Sequence, residues 1–447
     1  MRLFRSTVLL LIALAATQVM AWGSHALATY RAFEKMPEVV NASVVTVEPL
    51  EAFLRLEENT IEALLASEEA WARSNLDKYP ARPASLAFVA DPARSDESRR
   101  TAFLMALRVA PNSKFALFYQ ADPWNPTTGS TLPLSAVSTL PESGNGVPKF
   151  FSLKVGEAVP VLSVLASASD EPDYGLDINL WEDSPSDWGR QYGFGNQPFG
   201  NPSLPYASQA PFHMGFLHES RILYLAAPFI KRTYPLLRFH QFSTLASLAF
   251  RTDHAYWGWR FAGLALHYLQ DLTQPYHATL APGESASRLL MINALAMAGM
   301  GSMKDELTIL LSNRHLVLEK YQSELLERAA STRQEGPLEK ALHNQDKDKT
   351  YPEWSDRYLR DVVSLQANHA APALVNALLA AVPALYVSNP GFDFGVRESN
   401  INLLNDMARQ DAADRQRLET LVAELMGNYG AHSRNALRGI LRASTPP

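Results

Sequence analysis

Cysteine is absent from the 447 residues. That excludes disulfides, thiolate metal sites, Cys-ligated iron–sulfur clusters and a cysteine nucleophile together. Any bound metal must use His, Asp, Glu or main-chain groups. Basic residues are not in excess: 40 Lys+Arg stand against 46 Asp+Glu, for a net charge of −6. Bulk charge therefore gives no sign of a basic face for gripping nucleic-acid phosphates. Beyond the N-terminal segment no run reaches 18 continuous apolar residues, so no transmembrane helix is expected there. No internal repeat occurs, and the 22 Gly and 29 Pro have no collagen-like period. No Gly-x-Ser-x-Gly elbow exists, which removes the simplest serine-hydrolase reading. Gly-rich pieces such as GFGNQPFGN lack a preceding strand and a following helix, so a phosphate loop is not expected.

What is present is ample apolar material, 47% of residues against 19% charged, enough to exclude general disorder. Arg2 and Arg5 precede an apolar run, Val8 to Ala16, and small residues at Val19 and Ala21. This pattern reads as a secretory signal peptide over residues 1–21, cleaved after Ala21, which makes Trp22 the new N-terminus and the protein secreted or periplasmic. Helical spacing is expected over 24–35, 47–74, 212–270, 303–330 and most of 358–444, with a break near Pro390. From about Asp77 to Asp170 recurrent prolines and runs such as FALFY and KFFSLKV predict loops with a few short strands. Residues 183–211, rich in Gly, Pro, Ser and Asn, predict a long surface loop. The Met-rich stretch 286–301 is expected to be a buried helix, with a lid or membrane-touching helix as the competing reading. The fold class is mainly α.

Chemistry concentrates in His267-Tyr-Leu-Gln-Asp271-Leu-Thr-Gln-Pro275-Tyr-His277. Two ligating side chains four apart on a helix project from one face. Pro275 should end that helix and let His277 turn back toward a neighbouring ion. His315 and Glu319 form another pair at the same spacing; alone, such a pair is more often a surface contact. Trp22-Gly-Ser-His25 offers a main-chain amino group and an imidazole. Between these lie Glu171-Pro172-Asp173-Tyr174 and Phe212-His213. His218, His240, His254, His343, His369 and His432 are expected to be structural or exposed, and Trp257 and Trp259 to be core.

In these residues the sequence resembles the zinc-dependent phospholipases C and their sister group, the three-zinc single-strand nucleases. The shared features, in order, are the mature N-terminal Trp, a nearby His, a Pro-Asp segment, a His among aromatics, a His-x3-Asp-x5-His run and a final His-x3-Glu pair. The resemblance covers dispersed segments between Trp22 and about Ala330. It implies a helical core of that type over 22–335, interrupted by insertions at about 77–165 and 278–314; the helical C-terminal extension over 336–447, like the 77–165 region, has no counterpart in the family. It implies three zinc ions. One would be held by His267, Asp271, Asp173 and His213. A second would use the amino nitrogen and carbonyl of Trp22 with His25, and share Asp271 as a bridge. A third would use His277, His315 and Glu319. Asp170, Asp177 and His218 remain rivals for Asp173 or His213. Asp173 is preferred because it follows Pro172, and His213 because Phe212 and Phe216 flank it.

The activity implied is phosphodiester hydrolysis, with Asp173 as the general base. The expected substrate is a glycerophospholipid at a membrane surface, cleaved to diacylglycerol and a phosphorylated headgroup. Single-stranded nucleic acid is the alternative substrate, and a non-catalytic metal-binding protein is the alternative class. Glu319 in the final pair, and the wording of the 267–277 run, favour the lipid. No protein partner is expected.

Overall fold

The computed structural model describes residues 22–42, 44–125, 127–140 and 149–445; the expected signal peptide lies outside them. Helix accounts for 62% and strand for 3%, so the chain is mainly α. The molecule is built around the Ala255–Leu272 helix. Every residue from Tyr256 to Leu272 is buried, which is what an all-round apolar sequence with few charges demands. Pro235–Arg251, Val161–Ala168 and Ala412–Ser444 pack around it. Gly263 permits one of these contacts: a Cβ there would lie 2.6 Å from both the Leu165 carbonyl and Ala168 Cβ. The close approach brings Ser169 and the turn after it against His267.

One hydrophobic cluster runs from Trp22 to Ile440. The segment after residue 335 contributes to it through Leu338, Leu374, Met426 and Leu437. Ala412–Ser444 also packs on His25–Phe33, and Arg434 donates to the Ala32 carbonyl at 2.9 Å.

The proline-rich region does hold short strands. Phe150–Ser152 lies between Phe118–Gln120 and Thr131–Leu132, antiparallel to both, with Phe151 opposite Tyr119 and Thr131. Val44–Thr46 pairs antiparallel with Ala158–Pro160. The region also contains helices, Asp96–Leu107 and Val161–Ala168. Ser95 caps the first by accepting from the Ser98 amide, a Ser-Asp-Glu start that marks a helix N-terminus.

Two expectations are corrected. Residues 183–211 are not simply a surface loop: Tyr192, Phe194, Leu204 and Tyr206 are buried, because the segment is anchored on aromatic rings rather than on regular backbone pairing. Residues 286–301 do form a helix, Ala286–Met297, but only Ile292 of it is buried. Met291 is 49% exposed and Met297 83% exposed. The stretch is apolar all round, while only one side finds a packing partner.

Candidate metal centre

Five separate chain segments deliver nitrogen and oxygen donors to one buried region. The Ala255–Leu272 helix presents His267 and Asp271, both fully buried, one turn apart as their spacing requires. Asp271 places its two oxygens on different neighbours. Oδ2 lies 2.9 Å from His213 Nδ1 and 3.3 Å from His267 Nε2. Oδ1 lies 3.3 Å from His25 Nε2 and has no hydrogen-bond partner. The Trp22 main-chain nitrogen is 3.3 Å from the same His25 Nε2. Asp173, in the Glu171–Tyr174 turn, has Oδ1 3.7 Å from both His213 Nδ1 and His267 Nε2, and its Oδ2 lacks a partner.

The helix ends before Pro275, and Gln274 adopts the extended backbone that a residue before proline prefers. The chain turns into Pro275–Ala278 and returns His277 to the centre. His277 Nε2 stands 2.8 Å from His315 Nε2. His315 Nε2 is 2.5 Å from Glu319 Oε1. Both members of this second pair are buried, which sets aside the surface-pair reading.

Donor groups capable of holding a cation are thus His213–His267–Asp271, His25–Asp173–His267 and His277–His315–Glu319. The second grouping differs from expectation: His25 neighbours Asp173 and His267 as well as Trp22 and Asp271. The donor chemistry fits a divalent metal. His267 Nδ1 donates to the Ser169 carbonyl at 2.8 Å, and His277 Nδ1 donates to the His213 carbonyl at 2.9 Å. A carbonyl only accepts, so both rings carry their proton outward and turn an Nε2 lone pair inward. Lone pairs and unpartnered carboxylate oxygens converge, and a cation is the group that satisfies both at once.

Burial acts on every group here. It holds His267 well below the usual imidazole range and brings His315 down to about 4, keeping these rings in the neutral form that binds metal. Burial also lowers His25 and His213, but neighbouring carboxylates outweigh it. Asp271 draws His25 up to about 9; Asp177, Asp271 and Asp173 draw His213 up to about 10. Burial pushes Glu319 up to about 8. A divalent cation competes with the protons held at such sites.

The rivals fall elsewhere. Asp177 stands behind His213, its Oδ2 3.5 Å from His213 Nε2. It is held by Arg238 Nε at 2.8 Å and the Tyr268 hydroxyl at 2.6 Å. Asp177 therefore orients His213 from outside the donor cluster, a placement that sequence spacing could not separate from membership of it. Asp170 Oδ2 accepts from Gln120 and Tyr174 at 2.6 Å. His218 is bonded to the Arg360 carbonyl at 2.7 Å, away from the centre. Among the remaining histidines, His240 stacks on Trp71, His254 pairs with Glu48, His432 meets Tyr358 and His369 is exposed. Glu34, Glu335 and His343 form a further donor group near the surface, where the Lys35 ammonium, 3.1 Å from His343 Nδ1, already supplies a cation.

A cavity of about 400 Å³ opens beside the centre. Asp173, His213, His277 and His315 border it on one side. Phe199, Phe216, Phe229, Leu280 and Leu311 form its apolar walls, and Lys304 is the one lysine or arginine among the described residues that line it. Gly23 lies against the helix that carries Glu319: a Cβ there would sit 2.7 Å from the Glu319 carbonyl and 2.3 Å from Ser323 Oγ. The N-terminal segment can therefore lie flat on the Ser302–Thr332 helix. No helix of the described residues is long and apolar enough to cross a membrane. No protein-family model, curated protein or solved structure matches the chain.

Proposed function

We propose that the chain is a zinc-dependent phosphodiester hydrolase of phospholipase C type. Its substrate is a glycerophospholipid and its products are diacylglycerol and a phosphorylated headgroup. The observation that carries this reading is the apolar cavity bordered by Asp173, His213, His277 and His315. A diacylglycerol moiety needs apolar walls next to its phosphate. A polynucleotide needs several basic side chains along a groove, and among the described residues Lys304 is the one lysine or arginine lining the cavity.

His267, Asp271, Asp173 and His213 would hold one zinc. Trp22, His25 and Asp271 would hold a second, and His277, His315 and Glu319 a third. Zinc there supplies a Lewis acid for phosphoryl oxygens and acidifies water. Asp177 keeps His213 turned toward the centre. Asp173 Oδ2, unpartnered at the cavity edge, takes a proton from the attacking water as the new P–O bond forms; the bond to the glycerol oxygen breaks in line, and that oxygen leaves as the diacylglycerol hydroxyl by taking up a proton from water. The walls exclude water from the lipid.

The Trp22 amino nitrogen becomes free only when residues 1–21 are removed, so this reading also takes the protein to be secreted or periplasmic. The test is hydrolysis of phosphatidylcholine and phosphatidylethanolamine vesicles, and of single-stranded DNA, by purified protein with and without a chelator. Diacylglycerol release that stops with chelation and returns with zinc is the expected result. DNA cleavage without diacylglycerol would replace the lipid reading by the nuclease one. Zinc binding without either activity would leave a non-catalytic metal-binding protein.

A further inference from the structure

Gln270 immediately precedes Asp271, so it leaves the helix about 100° away, toward the N-terminal segment and the Ala412–Ser444 helix. It is fully buried. Its Oε1 is 2.9 Å from His25 Nδ1. Its Nε2 reaches Thr29 Oγ1 at 3.0 Å and Ser433 Oγ at 3.3 Å. Its main-chain carbonyl accepts from Trp22 Nε1 at 3.0 Å. Both N-terminal ligands of the proposed second zinc therefore touch this one residue.

The direction of these hydrogen bonds decides whether His25 can bind a cation. If the Gln270 amide were reversed, His25 Nδ1 would become the acceptor and its proton would sit on Nε2, facing Trp22 and Asp271. A chain of bonds forbids that. The His25 carbonyl can only accept, and the Tyr429 hydroxyl donates to it at 3.2 Å. With its proton committed, Tyr429 must accept from Thr29 Oγ1, 3.0 Å away. Thr29, its own proton spent, must accept from Gln270 Nε2. Gln270 then turns Oε1 to His25, and the lone pair of His25 Nε2 points into the centre.

We propose that Gln270 and Tyr429 are positioning residues that set the tautomer of His25, so that the C-terminal Ala412–Ser444 helix forms part of the metal centre. This rests on the zinc reading above. In the zinc-loaded chain Gln270→Leu should weaken one of three zinc ions by on the order of 10- to 100-fold, leaving the other two in place. Gln270→Glu, whose carboxylate can only accept from His25 Nδ1, should restore most of that affinity; Tyr429→Phe should lose part of it.

The experiment is zinc stoichiometry and chelator competition on wild type and the three variants, together with the unfolding midpoint of each metal-free chain. A general packing defect would lower the midpoint in Gln270→Leu and Gln270→Glu alike and spare no single ion. Three ions held equally by wild type and Gln270→Leu, or no recovery in Gln270→Glu, would overturn the assignment. A wild-type chain that takes up no zinc would remove the zinc reading and this inference with it.

Discussion

Asp271 divides its two oxygens between His213 and His267 on one side and His25 on the other, whereas Glu319 serves His315 and His277. Asp271→Asn should therefore release two of the expected zinc ions and Glu319→Gln one, measured as metal bound per chain; equal losses would remove the bridging role. Another residue-scale consequence lies away from the centre. Glu68 is buried, accepts from Thr244 at 2.6 Å through one oxygen and leaves the other unpartnered. Burial pushes its carboxyl up to about 8 from 4.5. The folded chain therefore binds a proton that the unfolded chain releases across that interval, and stability falls as pH rises from about 4.5 to 8. Glu68→Gln should raise the unfolding midpoint at pH 8 and change it little at pH 4.5. A difference independent of pH would contradict the assignment.

At the scale of the element, the Ala286–Met297 helix separates composition from burial. Leu290 packs on the small cluster of Phe216, Leu223 and Ile230, while Met291 and Met297 face outward. Surface substitutions change stability by within about 0.5 kcal/mol; removing a packed leucine costs on the order of 1–2 kcal/mol. Met291→Ser with Met297→Ser should leave the denaturation midpoint close to wild type, and Leu290→Ser should lower it. If the paired methionine variant unfolds as readily as Leu290→Ser, the helix is packed on both sides. The Ser302–Thr332 helix shows the opposite case. Its charges look like those of an exposed helix, yet His315 and Glu319 are buried: the Tyr276 and His277 rings lie against His315, and Gly23 lets the N-terminal segment lie directly over the Glu319 backbone.

For the whole molecule, the donors come from positions between Trp22 and Glu319, and the C-terminal helix braces them from behind. A metal at this place ties distant parts of the chain together, so its removal should cost global stability. Mass action sets the size: a ligand at 100 times its dissociation constant adds about 2.7 kcal/mol. Chelation should lower the thermal midpoint, and added zinc should raise it again with increasing concentration. A midpoint unmoved by chelator would mean that the donors hold no structural ion.

The sequence by itself determined the mainly helical class, the one-turn spacings of the His267–Asp271 and His315–Glu319 pairs and the residue types on offer as donors, because helical periodicity and side-chain chemistry are local properties. The turn at Pro275 belongs with these, since proline constrains its own neighbour. Only the tertiary structure decided which carboxylate faces the other donors and which stands behind His213. Asp173 and Asp177 are one turn of chain apart, and Arg238, from a different helix, pairs with Asp177 alone. The same holds for Gln270 and Tyr429, whose importance comes from a hydrogen-bond chain between residues some 400 positions apart. Burial of the Met-rich helix was likewise undecided by its composition, because an apolar face is buried only when another element arrives to cover it.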